Sequence, residues 1–317
     1  MPLPVRLLQL IELACQPLTN HPDAQQLKQL SQHLGEFAWK KFLATRTPDD
    51  NACEHEFIVL GNVLRIAAAE PLSGPELRVA IAFSFLHDAY YIPRITEWQI
   101  RAAWRAVDLA TDPATRQQLE TTAGELAISK TQQRQRHMAG GAQLARDWLL
   151  APPSSPSAAT AEAGDRGPLT AAEGAVAAAQ PQVDQQIGET IGGLLTAAEV
   201  ARCCDLIAHH DDWKLGRPWP ASSDRLALAC VEGDALWPLH PLGVLADLER
   251  PTEAGTIRDL LSPPTWKSQI QESLQTLIDY RANWPATATG FCDDDSIFRT
   301  QAGWELYQAW RVYHRLD

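Results

Sequence analysis

The chain has 317 residues, 45% of them hydrophobic, enough to bury one large core or two modest ones. Its formal net charge of −12 argues against a broad phosphate-binding face, so nucleic acid is not an expected partner. An anionic small molecule would have to be drawn by a local basic pocket, against the global field.

No apolar run approaches the ~20 residues of a membrane span. The opening Met1-Pro2-Leu3-Pro4-Val5-Arg6 leads into an amphipathic stretch and not a signal-peptide core. The six cysteines (Cys15, Cys53, Cys203, Cys204, Cys230, Cys292) form neither a C-x-x-C pair nor a disulfide framework, and read as buried thiols. The expectation is a soluble, cytoplasmic protein with no membrane partner.

The pattern is helical throughout. Residues 4–15 and 24–44 place apolar side chains three and four apart, as in Leu27, Leu30, Leu34, Phe37 and Phe42. Thr47-Pro48-Asp49-Asp50 breaks the chain, and a helix from near Asn51 carries His55, Ile58, Val59, Val63, Leu64 and Ile66. Pro71 to Pro75 form a turn. Helices are then expected over Glu76–Ala89, Thr96–Ala110 and Pro113–Ile128. Residues 151 to about 187, rich in Ala, Pro, Ser, Gly and Gln, cannot bury enough surface to offset their ordering entropy and read as a flexible, disordered insertion. Pro238-Leu239-His240-Pro241 breaks the helix after Asp234, and residues 266–283 and 295–314 form a helical tail rich in Trp and Tyr. The expected organisation is all-α: N-terminal helices over 1–48, a central domain over 49–250 and a C-terminal helical extension over 251–317.

The chemistry lies in scattered histidines and aspartates. His87-Asp88 ends the apolar run Val79–Leu86; His55 precedes it; His137, the pair His209-His210 and Asp234 follow. Neutral imidazole and carboxylate together bind divalent first-row metals, and a carboxylate can bridge two ions. Unpaired charge at the end of so apolar a helix would be costly, so His87 and Asp88 call for a partner. Asp234 sits in an apolar run and does the same. Adjacent helical residues diverge by about a hundred degrees, so only one of His209 and His210 should face a site. His21, His33 and His314 read as surface residues, and His240 is left open. Lys130, Arg134 and His137 share one helix face. With Lys214 and Arg217, the two cations of that face form either a substrate clamp or an ordinary solvated surface.

Arg136-His137-Met138-Ala139-Gly140-Gly141-Ala142 and Ile207-Ala208-His209-His210-Asp211-Asp212 look like the His-x-x-x-Gly and His-His-Glu elements of the HD-GYP branch, with Asp211 in place of Glu. With the order His … His-Asp … His … His … Asp, residues 50 to 240 resemble the HD-domain superfamily of metal-dependent phosphohydrolases, distantly like HD-GYP. The resemblance implies an HD-domain helical bundle. In it His55, His87, Asp88 and Asp234 would hold one ion, and Asp88 would bridge to a second held by His137 and His209. His209 is preferred by the motif, with His210 touching substrate or supporting the ligands.

Two divalent ions are implied, iron or manganese first and zinc or magnesium as alternatives. The implied reaction is hydrolysis of a small phosphorylated molecule, a phosphate ester or nucleotide, by metal-activated water. Asp88, His210, Lys130 and Arg134 would be the catalytic group. The chain departs from HD-GYP at Tyr91, where that branch has Lys, and in lacking Gly-Tyr-Pro. A cyclic dinucleotide substrate therefore does not carry over. The same six-ligand order also occurs in mixed-valent di-iron oxygenases of the HD fold that resemble myo-inositol oxygenase. Tyr90, Tyr91, Trp98, Trp213 and Trp219 near the metal-bearing segments leave that reading open. A regulatory domain without activity is the third reading.

Overall fold

The computed structural model describes residues 2–45, 53–90, 97–151, 191–217, 223–249, 258–281 and 297–315. The expected insertion, Tyr91, Trp219 and Cys292 lie outside the described residues, as does the side chain of Trp98.

Eleven α-helices and short 3-10 turns make up the described residues, with no strand among them. In chain order they are α1 (Val5–Cys15), α2 (Ala24–Lys41), α3 (His55–Ala69), α4 (Gly74–Leu86), α5 (Glu97–Leu109), α6 (Pro113–Leu150), α7 (Ala197–His209), α8 (Arg225–Ala235), α9 (Pro241–Glu249), α10 (Pro263–Arg281) and α11 (Gln301–Tyr313). No helix among the described residues is long and apolar enough to cross a membrane.

Helix starts follow local chemistry. Ser73 with Glu76, and Thr196 with Glu199, form capping boxes that satisfy the first amides of α4 and α7. Asp112 accepts from Thr115 N (2.7 Å) at the start of α6, and Asp224 from Ala227 N (3.0 Å) at the start of α8.

The helices α3 and α4 form the centre. Their residues are buried almost all round, α3 packing on α1, α4 and α8, and α4 on α2 and α7. One apolar cluster runs from Leu7 and Ile11 through Phe57, Phe83 and Ile207 to Phe298 and Tyr307, so α11 shares the core of the first helices. Glu232 of α8 makes that junction. Its buried carboxylate accepts from Arg299 N (2.6 Å), Thr300 N (3.1 Å) and Thr300 Oγ1, and Thr300 in turn caps α11 through Gly303 N.

The helix expected to end near Ile128 continues to Leu150 without interruption. Nothing between these positions breaks a helix except Gly140-Gly141, and an isolated glycine costs only about 1 kcal/mol in a helix interior. The first turns of α6 are exposed, whereas its second half packs on α7 and buries His137, Met138, Gly141, Ala145 and Leu149. His137 is thereby carried mid-helix into the core.

Candidate metal centre

Six side chains from five regions converge. His55 opens α3, His87 and Asp88 form the turn that ends α4, His137 comes from α6, His210 follows the last residue of α7, and Asp234 lies in the last turn of α8. None is more than 9% exposed. They form two groups that could each hold a metal ion: His55, His87 and Asp234, and Asp88, His137 and His210, the ligand atoms of each group lying within 4.8 Å of one another.

Close helix packing makes this convergence geometric. A side chain at Gly233 would meet the backbone of Val63 at 2.9–3.0 Å, so only glycine lets α8 approach α3 closely enough to set Asp234 opposite His55. Asn62 Nδ2 donates to Gly233 O at 3.1 Å and locks the register. At the other group, a Cβ on Gly141 would lie 3.2 Å from His87 O, and one on Gly140 would enter the ring of Tyr90. The glycine pair thus seats α6 against the end of α4.

Ring orientation is fixed from behind. The Nδ1 of His87 faces Ser84 O at 3.2 Å, that of His137 faces Tyr90 O at 2.6 Å, and that of His210 faces Ile207 O at 2.8 Å. A carbonyl only accepts, so each Nδ1 carries the hydrogen and each Nε2 is turned inward, the arrangement that metal-binding histidines take. Phe83 stacks on the His87 ring (5.1 Å), and Trp237 meets His55 edge-on (5.0 Å).

In the first group His55 Nε2 lies 3.1 Å from His87 Nε2 and 3.5 Å from Asp234 Oδ1, and His87 Nε2 is 3.4 Å from the same oxygen. Two ligands bound at about 2.1 Å to one ion stand about 3.0 Å apart at a right angle and about 3.4 Å apart in a tetrahedron. The spacing suits a single cation. In the second group His137 Nε2 is 2.9 Å and His210 Nε2 3.9 Å from Asp88 Oδ1, while Asp88 Oδ2 turns back to His55 Nε2 at 3.5 Å. Asp88 therefore offers one oxygen to each group.

The site is strongly polarised. Burial disfavours charge on His87, yet Asp88 and Asp234 outweigh it and raise its pKa to about 9. Burial of Asp234 is likewise overcome, by Lys214 and His87, and its carboxyl is held well below the usual range. Burial dominates at His210, with His137 and His87 adding to it, and lowers that imidazole to about 4. These buried carboxylates call for positive charge, and the N/O donor set with inward Nε2 atoms fits divalent first-row metals.

The motif's preference for His209 is corrected. Its side chain is 45% exposed, and Nδ1 bonds to Asp212 Oδ2 at 2.7 Å, so His210 occupies the inward position. The buried side of α7, which carries Cys203, Leu206 and Ile207, continues to His210 and not to His209. Arg134 lies beside the site with its guanidinium on the buried Asp211 (Nη1 to Oδ2, 2.6 Å), and Lys130 stands four residues earlier on α6, half-buried. Lys214 reaches the other oxygen of Asp211 at 2.6 Å and comes within 3.7 Å of Asp234 Oδ2.

Residues unmarked in the sequence reading also contribute. The fully buried Glu56 acts on His87 electrostatically, and a polar residue in the apolar run of α3 was its one signal. Tyr90 acts through its backbone carbonyl, which no residue type announces. No protein-family model, curated protein or solved structure matches the chain.

Proposed function

We propose that the chain is a dinuclear metal-dependent hydrolase that directs water against a small phosphate ester or nucleotide. The observation that carries this reading is Asp88, one carboxylate shared between two buried His-rich groups. The likeness to HD-domain phosphohydrolases over residues 50–240 agrees with it, with His210 taking the ligand place that the motif assigns to His209. Iron or manganese suits the mixed set of four imidazoles and two carboxylates, with zinc or magnesium as alternatives.

When bound, two such cations supply Lewis acidity and water that is ionised near neutral pH. The protein supplies the rest. His87, His137 and His210 hold their Nε2 atoms inward through rings fixed at Nδ1, His55 presents its Nε2 to the same first group as His87, Asp88 sets the separation of the two halves, and Asp234 closes the first. Lys130 and Arg134 on α6 form the cationic wall that would meet a phosphate, with Arg134 steadied by Asp211. On this reading residues 49–250 are the catalytic unit, and the described helices of 1–48 and 251–317 pack around it.

A second reading, a mixed-valent di-iron oxygenase of the same fold, draws on the aromatic side chains at the site, Trp237 against His55 and Tyr90 against α6. Metal analysis of purified protein, with turnover of a generic phosphate ester, separates the two. Two ions per chain and activity with manganese under nitrogen support the hydrolase. Iron with oxygen uptake and no phosphatase activity supports the oxygenase. Full turnover in Asp88→Ala would refute the shared-carboxylate site under either.

A further inference from the structure

The helix α11 lies outside residues 49–250, yet its main partners are α3 and α8, the two helices that carry His55 and Asp234 of the first metal group. The second group is drawn from α6 and from the turns that end α4 and α7, none of them a main partner of α11. Both ends of α11 are fastened to α8 and the turn that follows it. At the start, Glu232 accepts from Arg299 N and Thr300 N, and Gly303 leaves the space that a side chain would take from Glu232 Oε2. At the end, His314 Nε2 donates to Leu239 O at 2.7 Å. Asp234 lies in the chain between these two fastenings.

A column of rings runs inward from α11. Trp310 meets His240 edge to face (centroids 5.2 Å apart, 77° between planes), and His240 lies parallel to Trp237 (6.3 Å, 8°). Trp237, 6% exposed, then meets His55 at 5.0 Å and 84°. All three separations fall in the range where aromatic rings attract. The column is braced along its length. His240 Nδ1 accepts from Leu242 N (3.1 Å), and His240 N donates to Trp237 O (3.0 Å). A side chain at Gly243 would overlap Trp237 O and stand 3.2 Å from Trp237 Cδ2, so glycine lets α9 close against the tryptophan. Backbone carbonyls set the rings of His87, His137 and His210; at His55 the fold sets an indole against the ring.

We propose that Trp237 and Trp310 are positioning residues for the first metal group, acting through His240 on His55, and that α11 is a strap whose seating sets how tightly that group holds its ion. The inference rests on the dinuclear reading and adds to it: the first ion depends on α11 and the second does not. An indole has a donor and no lone pair to offer a cation, so Trp237 acts only by limiting how far the His55 imidazole turns from Asp234 Oδ1, 3.5 Å from its Nε2. A ligand held before the ion arrives has less freedom to lose on binding it.

The test is cobalt(II) titration of the full-length protein followed by absorption spectroscopy, with metal content and urea unfolding measured on the same samples. His55→Gln and His210→Gln supply the reference spectra of protein lacking the first and the second ion. Trp237→Leu should bind the first ion about 10- to 100-fold more weakly, the scale of losing a support behind a ligand, and keep its affinity for the second. Trp310→Leu should act in the same direction by about three- to tenfold, the scale of one aromatic pair. Trp310→Phe restores a ring against His240 and should recover most of the loss. Leu27→Ala serves as the control for instability alone. Asp23 of α2 lies beside Gly74, so buried Leu27 sits near the start of α4, remote from His87 at its end. That variant should lower the urea midpoint and leave both affinities unchanged.

Wild-type affinity for the first ion in Trp310→Leu overturns the strap, and in Trp237→Leu it overturns the brace on His55. Equal weakening of both ions overturns the proposal too, as does a loss in Leu27→Ala as large as that in Trp310→Leu. If Trp237→Leu does not fold, the two Trp310 variants decide the matter. Wild-type protein that binds fewer than two ions refutes the dinuclear reading itself, whereas two ions without this selectivity refute the strap alone.

Discussion

Gly140→Ala is a purely steric probe of how the second half of the centre is held. A Cβ at position 140 would lie 2.6 Å from Tyr90 Cγ and 2.7 Å from Cε1, against ordinary carbon contacts of about 3.5–4.0 Å. Tyr90 must therefore retreat by about 1 Å. Overpacking of this kind costs about 1–3 kcal/mol, and alanine returns about 1 kcal/mol of helix propensity, so the net loss of stability is about 0–2 kcal/mol. The larger consequence is local. Tyr90 O accepts from His137 Nδ1 at 2.6 Å, and a shift of about 1 Å takes that bond to the limit of hydrogen bonding. Loss of such a supporting bond weakens metal binding about 10- to 100-fold. The assay is metal titration with stoichiometry by mass spectrometry, beside thermal unfolding. Gly140→Ala should retain one tightly held ion and bind the second weakly. Gly124→Ala, on the same helix with open space around its added carbon, should be stabilised and keep both ions. Two ions held at wild-type affinity by Gly140→Ala would refute the proposed route from Gly140 through Tyr90 to His137.

Exchanging the adjacent histidines gives a sharp contrast. His210→Gln should lose the second ion, whereas His209→Gln should keep both and only loosen the turn at Asp212, read by metal content and by proteolysis after α7. Glu232→Ala leaves Arg299 N, Thr300 N and Thr300 Oγ1 without their buried acceptor and should cost about 3–5 kcal/mol in urea unfolding; a loss below about 1 kcal/mol would mean that α11 is not fastened there. His240 is held to about 4 by burial, with Arg65 and His314 adding to it, and its Nδ1 accepts from Leu242 N. An unfolded imidazole titrates near 6.5, so between pH 6.5 and 4 the unfolded chain takes up a proton that the native one does not. That contribution to stability is full above pH 6.5 and declines through the window, on the order of 1 kcal/mol after allowance for partial exposure. His240→Gln should flatten the wild-type slope of urea midpoint against pH, and an unchanged slope would assign the acid sensitivity to other groups.

Helix content and its breaks were legible because each depends on neighbours in the chain. The spacing of Leu27, Leu30 and Leu34 marks a buried face, and Pro238 to Pro241 interrupts one. The extent of α6 was less legible. Its exposed first turns and buried second half present different patterns, and a periodic reading stops where the pattern changes although the backbone does not. His87, Asp88 and Asp234 stood out as chemistry-bearing residues at apolar runs, and His55 and His137 by their place in the His … His-Asp … His order; the fold brings all five together. What supports them was hidden, because it consists of backbone carbonyls at Ser84, Tyr90 and Ile207 and of glycines chosen for the space they leave.

The adjacent pair His209-His210 shows where likeness to a motif reaches its limit. Helical periodicity states that one faces inward and the other does not, but the choice depends on how α7 is rotated about its axis, which distant contacts decide. Cys203, Cys204, Leu206 and Ile207 are buried, so the helix presents that side to α4 and α6. His210, three residues beyond Ile207, continues it and bonds back to Ile207 O. His209 falls on the opposite side, near Asp205, four residues before it, and bonded to Asp212. The apolar residues of α7 thus held the answer in their phase: extending the buried positions 203, 206 and 207 by the helical repeat reaches 210, not 209. An alignment to a motif weighs the two histidines by likeness, whereas the burial phase of their own helix weighs them by direction, and direction decides whether a nitrogen meets a cation.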